Sequence, residues 1–151
     1  MNKGEIARDT FKNGFNCAQA VLSAYCNNYG LDENIAKKIS CGFGAGCARQ
    51  SLTCGAVTGA YLVIGLKYGK SIESDNDARD KTYNMVNEFS KQFKDINGSI
   101  NCSELLGCNL ATPEGHAYYK DNNLNTKCTN YVSEACSILD KMELWYYIKW
   151  N

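Results

Sequence analysis

Residues 53–69 read TCGAVTGAYLVIGLKYG, and the reading of this stretch decides the fold. It is apolar enough to form a buried helix, yet Gly55, Gly59 and Gly65 interrupt it and Cys54 heads it. A glycine in a helix interior costs about 1 kcal/mol against alanine, so three in one helix need a compensating gain. Gly55 and Gly59 lie one turn apart, with Ala56 and Ala60 forming a second small row beside them, so neighbouring helices can approach this backbone closely. The stretch is expected to be the thin central helix of a bundle, with Cys54 in the middle of one bundle end.

Helical spacing continues outward from it. Ala18, Val21, Leu22, Tyr25 and Tyr29 share a face, as do Tyr83, Val86, Phe89, Phe93 and Ile96, and then Val132, Ala135, Leu139, Met142 and Tyr146. Alternation of apolar and polar residues is nowhere sustained, so strands are not expected. The pattern predicts helices over 4–13, 17–29, 33–40, 52–68, 75–95, 102–106, 113–120 and 128–149. Gly14, Gly30, Gly69 and Gly98 stand where C-caps belong. The expected architecture is all-α: a compact multi-helix up-and-down bundle, with one domain over 1–151.

The chain has 151 residues, enough for one real core about 15 Å in radius of gyration. Sixteen basic and sixteen acidic residues cancel, leaving no basic stripe for nucleic acid and no polybasic segment for a membrane. The N-terminal MNKGEIARD is charged and lacks an apolar core, so no signal peptide is expected. The longest apolar run, 60–66, is too short to cross a bilayer. A soluble, cytoplasmic protein is the expectation. The aromatic end LWYYIKW, 144–150, points to packing or a subunit interface, which makes a homo-oligomer one of the expectations.

Against that background nine cysteines are anomalous. In a reducing compartment such a density points to metal binding or redox chemistry, and the single histidine, His116, means that any metal would lean on sulfur. Free cysteine is also a small buried hydrophobe, which suits Cys26 and Cys136, deep within their helices. Four others share a different setting. Cys17 follows Asn16, Cys54 follows Ser51 and Thr53, Cys102 follows Asn101, and Cys128 follows Thr126, so each stands beside a candidate N-cap at the start of a helix. Unpaired backbone N–H groups and the helix dipole favour a thiolate there.

These cysteine-headed helices alternate along the chain with helices that lack such a cysteine. In an up-and-down bundle, alternate helices start at the same end, so Cys17, Cys54, Cys102 and Cys128 are expected to converge. Four thiolates cannot simply coexist there: two unit charges 4 Å apart repel by about 4 kcal/mol at an effective dielectric of 20, while a helix dipole returns about 0.3–1 kcal/mol. The cluster must hold a metal centre, form disulfides, or keep most of its sulfurs protonated. No C-x-x-C pair is present, which argues against a zinc ribbon or a thioredoxin-like dithiol.

CGFGAGC, residues 41–47, contains G-x-G-x-G but follows no strand, so it reads as a tight turn and not as a dinucleotide site. Cys41 and Cys47 in that turn are expected near the same bundle end, chiefly as passive neighbours. Cys108, past Cys102, could serve or not. His116 and Arg49 are expected on the surface.

The ordered pattern resembles a known family. Cys54-Gly55-Ala56-Val57-Thr58-Gly59 is an intact Cys-Gly-Ala-x-x-Gly motif; FNCAQAVL supplies Cys17, GSINCSELLG supplies Cys102, and CTNYVSEACSILD supplies Cys128. The chain looks like a member of the C_GCAxxG_C_C family of redox-active proteins over nearly its whole length. The resemblance implies redox activity without naming a reaction. A related cysteine-bearing domain occurs in split-Soret-type cytochromes, where the cysteines are associated with an iron–sulfur centre. The resemblance therefore implies an iron–sulfur cluster, with zinc as the alternative, held by Cys17, Cys54, Cys102 and Cys128. Cys26, Cys41, Cys47, Cys108 and Cys136 are additions to the family's core.

Three functions are expected in order: an iron–sulfur protein that transfers an electron to an unnamed redox partner or senses oxidation; a metal-free thiol–disulfide protein; and a zinc-stabilised interaction module.

Overall fold

The computed structural model describes the backbone of residues 1–150 and the side chains of residues 1–143. The aromatic segment 144–150, expected as packing or interface surface, lies outside the described side chains. The helices are α1 (Lys3–Lys12), α2 (Cys17–Tyr25), α3 (Glu33–Ser40), α4 (Gly55–Tyr68), α5 (Asn76–Asn97), α6 (Cys102–Leu106), α7 (Pro113–Asp121) and α8 (Asn125–Trp150). There is no named strand among the described residues; Thr53 and Asn101 form one isolated antiparallel bridge. The fold is all-α and compact.

Local chemistry sets the helix starts. Asn2 with Glu5, and Asn16 with Gln19, form reciprocal capping boxes at α1 and α2, each satisfying two backbone donors that would otherwise be unpaired. Asp32, Asp75 and Thr112 cap α3, α5 and α7 with their side chains, and Pro113 opens α7. Gly98 ends α5 in the left-handed conformation, while Gly69 ends α4 extended. The expected 17–29 helix is α2 followed by a 3-10 turn over Cys26–Tyr29 that Gly30 closes.

α4 packs against α2, α5 and α8, and α1 packs against α2 and α8. Every residue of α4 from Gly55 to Ala60 is buried. Beyond them the interior is filled by Leu22, Val57, Phe89, Phe93, Val132 and Ile138, all essentially without exposure. Phe89 stacks on Phe93 at 6.0 Å and meets Tyr61 edge-on at 6.2 Å. Large side chains of this kind contribute about 1.5–3 kcal/mol each by burial.

The glycines of α4 have an observable purpose. A Cβ on Gly55 would stand 3.0 Å from the Cβ of Cys17, and one on Gly59 would stand 2.9 Å from the Ala18 carbonyl oxygen. Both therefore let α2 settle onto the α4 backbone. Gly65 has open space beside it and gains nothing of the kind.

Between α3 and α4, where a tight turn is expected, the chain takes an unusual course. After a 3-10 turn (Cys41–Phe43) and an extended Gly44, the segment 45–49 winds left-handed. Ala45, Gly46, Cys47, Ala48 and Arg49 have φ of 55, 65, 63, 58 and 68° in succession. For a residue with a Cβ, the left-handed conformation costs about 1–2 kcal/mol, so four of these five are strained. Two backbone bonds fix the turn, Arg49 N–H to the Ala45 carbonyl at 3.0 Å and Leu52 N–H to the Gly46 carbonyl at 3.0 Å. Among the described residues no helix is long and apolar enough to cross a membrane.

Candidate functional site

Three local devices deliver sulfurs to one place. At α2, the Asn16 capping box leaves Cys17 as the first helical residue. At α4, Cys54 is itself the N-cap, placing its sulfur beside the first backbone N–H groups of the helix without a side-chain capping hydrogen bond. The sequence reading placed Cys54 inside a helix beginning at 52. The helix instead begins at Gly55, because residues 52–54 pair with the segment before α6. Cys54 N–H donates to the Ile100 carbonyl at 2.8 Å, and Cys102 N–H donates to the Leu52 carbonyl at 2.6 Å. This two-bond ladder sets Cys54 and Cys102 side by side. Cys128 is the fourth residue of α8, which starts at Asn125 and not at 128.

Cys17, Cys54, Cys102 and Cys128 all line one cavity of ≈ 200 Å³. All four are buried, and Cys54 is the least exposed of them at 5%. All nine cysteines are free thiols. The remaining wall is largely apolar, with Phe11, Leu105, Leu106 and Leu110. The left-handed turn closes one side through Ala45 and Gly46; a Cβ on Gly46 would stand 2.7 Å from the Cβ of Cys102. Only a residue without a side chain lets the turn lie against that cysteine. Among the described residues, no group of three or more His, Cys, Asp or Glu side chains is placed to hold a metal ion.

The sulfurs differ electrostatically. The neighbouring Cys128 sulfur, with burial second, pushes the Cys17 thiol well above its ordinary value. Burial pushes Cys54 up to about 11 against the opposing influence of the Ala56 and Val57 backbone. Burial and the neighbouring charges of Cys54 and Cys128 push Cys102 up to about 12. Cys128 alone is lowered: the Cys17 thiol and the Tyr119 hydroxyl beside it outweigh its burial. Cys17, Cys54 and Cys102 thus resist ionisation, while Cys128 is the easiest of the four to ionise, as mutual repulsion requires.

The other cysteines divide as expected in part. Cys26 and Cys136 are fully buried core residues; the Cys26 thiol donates to the Ser23 carbonyl at 3.3 Å. Cys47 and Cys108 are partly exposed, and both lie close enough to raise Cys102 by their charge. Cys41 is exposed and lies in a separate surface groove with Phe15 and Lys37.

Arg49 is exposed, as expected, and His116 is half-buried; both also line the cavity. Two more were not singled out. Tyr119 lines it and donates its hydroxyl to the Cys128 sulfur at 3.8 Å. Tyr131 lines it and donates to the Leu105 carbonyl at 3.2 Å. A signal existed for both: Tyr119 is three residues after His116 on α7, and Tyr131 is three after Cys128 on α8, so each pair shares a helix face. For Arg49 the signal is its place two residues after Cys47, though its position in the wall depends on the left-handed turn.

A family model described as "Putative redox-active protein (C_GCAxxG_C_C)" matches residues 15–142. No curated protein and no solved structure gives a match.

Proposed function

The chain belongs to the C_GCAxxG_C_C redox-active family, and from that premise we propose that Cys17, Cys54, Cys102 and Cys128 hold an iron–sulfur cluster. The protein would pass single electrons to a redox partner, or sense oxidation, in the reducing cytoplasm. One observation carries this reading: four sulfurs, brought by the starts of four separate helices, line a single cavity of ≈ 200 Å³.

The donor set fits such a group. Four cysteine thiolates are the usual ligands of [2Fe–2S] and [4Fe–4S] clusters, and soft sulfur selects iron–sulfur centres and zinc over harder ions. The cavity favours the cluster between these two. A structural zinc site is closed, with four sulfurs about 2.3 Å from one ion, whereas a cluster needs volume between its ligands. When bound, the cluster would supply one-electron chemistry at a potential set by its surroundings. The chain's own groups would do the rest. Backbone N–H groups at the start of α4 stabilise charge on Cys54, Tyr119 does so on Cys128, and the apolar wall keeps water out.

A second reading rests on Cys17 and Cys128, which line the same cavity and shift each other's titration in opposite directions, Cys17 upward and Cys128 downward. A protonated thiol beside a sulfur whose ionisation is favoured is the arrangement of a dithiol ready for exchange. In that case the protein is a metal-free thiol–disulfide protein.

Anaerobic purification followed by iron, sulfide and zinc analysis and a visible spectrum separates these readings. A coloured protein with stoichiometric iron and acid-labile sulfide is expected. A colourless protein with one zinc per chain would instead mean an interaction module. A colourless, metal-free protein that loses two thiols reversibly would establish the dithiol reading.

A further inference from the structure

Of the groups around the cavity, Tyr119 is the one whose side-chain hydroxyl is aimed at a site sulfur. It stands on α7, which carries none of the four cysteines, and reaches the Cys128 sulfur of α8 at 3.8 Å. The second tyrosine of the wall, Tyr131, donates its hydroxyl to the Leu105 carbonyl at 3.2 Å. The two phenols line the same cavity and differ in what their hydroxyls touch.

We infer that Tyr119 is a positioning residue that raises the reduction potential of the four-cysteine site by donating a hydrogen bond to the Cys128 sulfur. The inference rests on the redox reading above and deepens it by naming a residue that regulates the site. The physical reason is the direction in which charge moves. Reduction puts negative charge on the sulfurs, and a donor held against one of them stabilises the reduced state more than the oxidised one. A phenol ordinarily titrates at about 10, so the hydroxyl keeps its proton at neutral pH and remains a donor.

The sign is the same for either redox chemistry. If the site holds a cluster, one added electron spreads onto the ligand sulfurs. If it holds a Cys17–Cys128 disulfide, two electrons from a thiol reductant such as glutathione break the S–S bond. Cys17 then takes up one of the two glutathione protons, the other passes to solvent, Cys128 carries the negative charge, and two glutathione molecules become one glutathione disulfide. Both routes end with more charge on Cys128 than they began with.

The test compares wild type, Tyr119→Phe and Tyr131→Phe, each purified anaerobically and used as obtained. Protein containing iron is titrated against redox dyes by visible absorbance. Protein without iron is equilibrated in glutathione buffers, and the Cys17–Cys128 disulfide is quantified by mass spectrometry. Loss of one neutral hydrogen bond should lower the equilibrium constant for reduction about three- to tenfold in Tyr119→Phe, with the melting temperature and the Tyr131→Phe constant close to wild type. Tyr119→3-fluorotyrosine, a stronger donor of nearly the same shape, should shift the constant the opposite way, and it keeps the test intact if the phenylalanine variant folds poorly. Equal constants in wild type and Tyr119→Phe, or equal losses in Tyr119→Phe and Tyr131→Phe, would overturn the role of Tyr119 while leaving the redox reading standing. Finding neither iron nor a reversible disulfide would overturn both together.

Discussion

Cys26 and Cys136 are buried as deeply as Cys17, Cys54, Cys102 and Cys128, yet the two groups are chemically unlike. At Cys26 and Cys136 the core is solid. The Cys136 thiol is pushed up to about 12 by burial, and Tyr25 donates to the Cys136 carbonyl oxygen at 3.0 Å. At the other four, the helices start around a cavity of ≈ 200 Å³, and one sulfur, Cys128, is lowered by donors aimed at it. Burial by itself turns cysteine into an inert hydrophobe. A space between the sulfurs, together with directed donors, is what makes a site.

The backbone repeats the contrast. Around the core cysteines the chain is right-handed, a 3-10 turn at Cys26 and α8 at Cys136, whereas the wall beside Cys102 is a succession of left-handed residues from Ala45 to Arg49. Strain of this kind persists only where surrounding structure over-determines it, and it gathers at functional sites. Here the ladder between residues 52–54 and 100–102 and the contact of Gly46 with Cys102 supply that support.

The largest effect that could sharpen this contrast is alkaline. Cys54 and Cys102 at the cavity, and Cys136 in the core, are raised from an ordinary 9.0 to about 11, 12 and 12. Above pH 9 the unfolded chain gives up these protons while the folded chain retains them, so stability falls as pH rises through that window. Each thiol contributes about 1.4 kcal/mol of that fall per pH step of one. Metal-free protein should lose stability from both regions. Protein whose four cysteines are already ionised by ligation should be spared the share due to Cys54 and Cys102 and keep that due to Cys136 and to the buried phenols of Tyr25 and Tyr29. Denaturant melts of both forms between pH 8 and pH 11 check this, and parallel profiles would remove the distinction.

Next in size is Gly59→Ala, whose new methyl group would meet the Ala18 carbonyl oxygen at 2.9 Å. Prying α2 from α4 should cost about 1–3 kcal/mol and weaken cofactor retention, because Cys17 moves with α2. Ala48→Gly is expected to act in the opposite direction. Ala48 is exposed and left-handed, so removing its Cβ should stabilise the protein by about 1 kcal/mol. A loss of stability there would mean that the turn is not strained. The smallest effect is Gly65→Ala, with open space beside it and a helical backbone, expected to gain about 0.5–1 kcal/mol. The pair Gly59→Ala and Gly65→Ala thus separates a glycine that the site requires from one that it does not.

Much of this contrast was legible in the sequence. Apolar spacing gave the helices to within a few residues, because amphipathic faces and N-cap residues act locally. Glycines one turn apart forecast a close helix contact, and Gly55 and Gly59 make it. The alternation of cysteine-headed helices forecast one meeting place, where the four now line one cavity. The left-handed turn was not legible. Ala45, Cys47, Ala48 and Arg49 carry no local preference for positive φ, so tertiary support decides it. Arg49 came into the wall with that turn. His116 and Tyr119 came with the docking of α7, a contact between elements that helical periodicity does not encode.

The most direct measurement is iron content across six single serine variants, Cys17, Cys54, Cys102 and Cys128 against Cys26 and Cys136, purified anaerobically in parallel with wild type. If the four cysteines form one site, each of the first four variants should lose most of its iron and visible absorbance, while the last two retain both. Retention of iron by any of the four, or its loss from Cys26→Ser or Cys136→Ser in protein that still folds, would contradict a single four-sulfur centre.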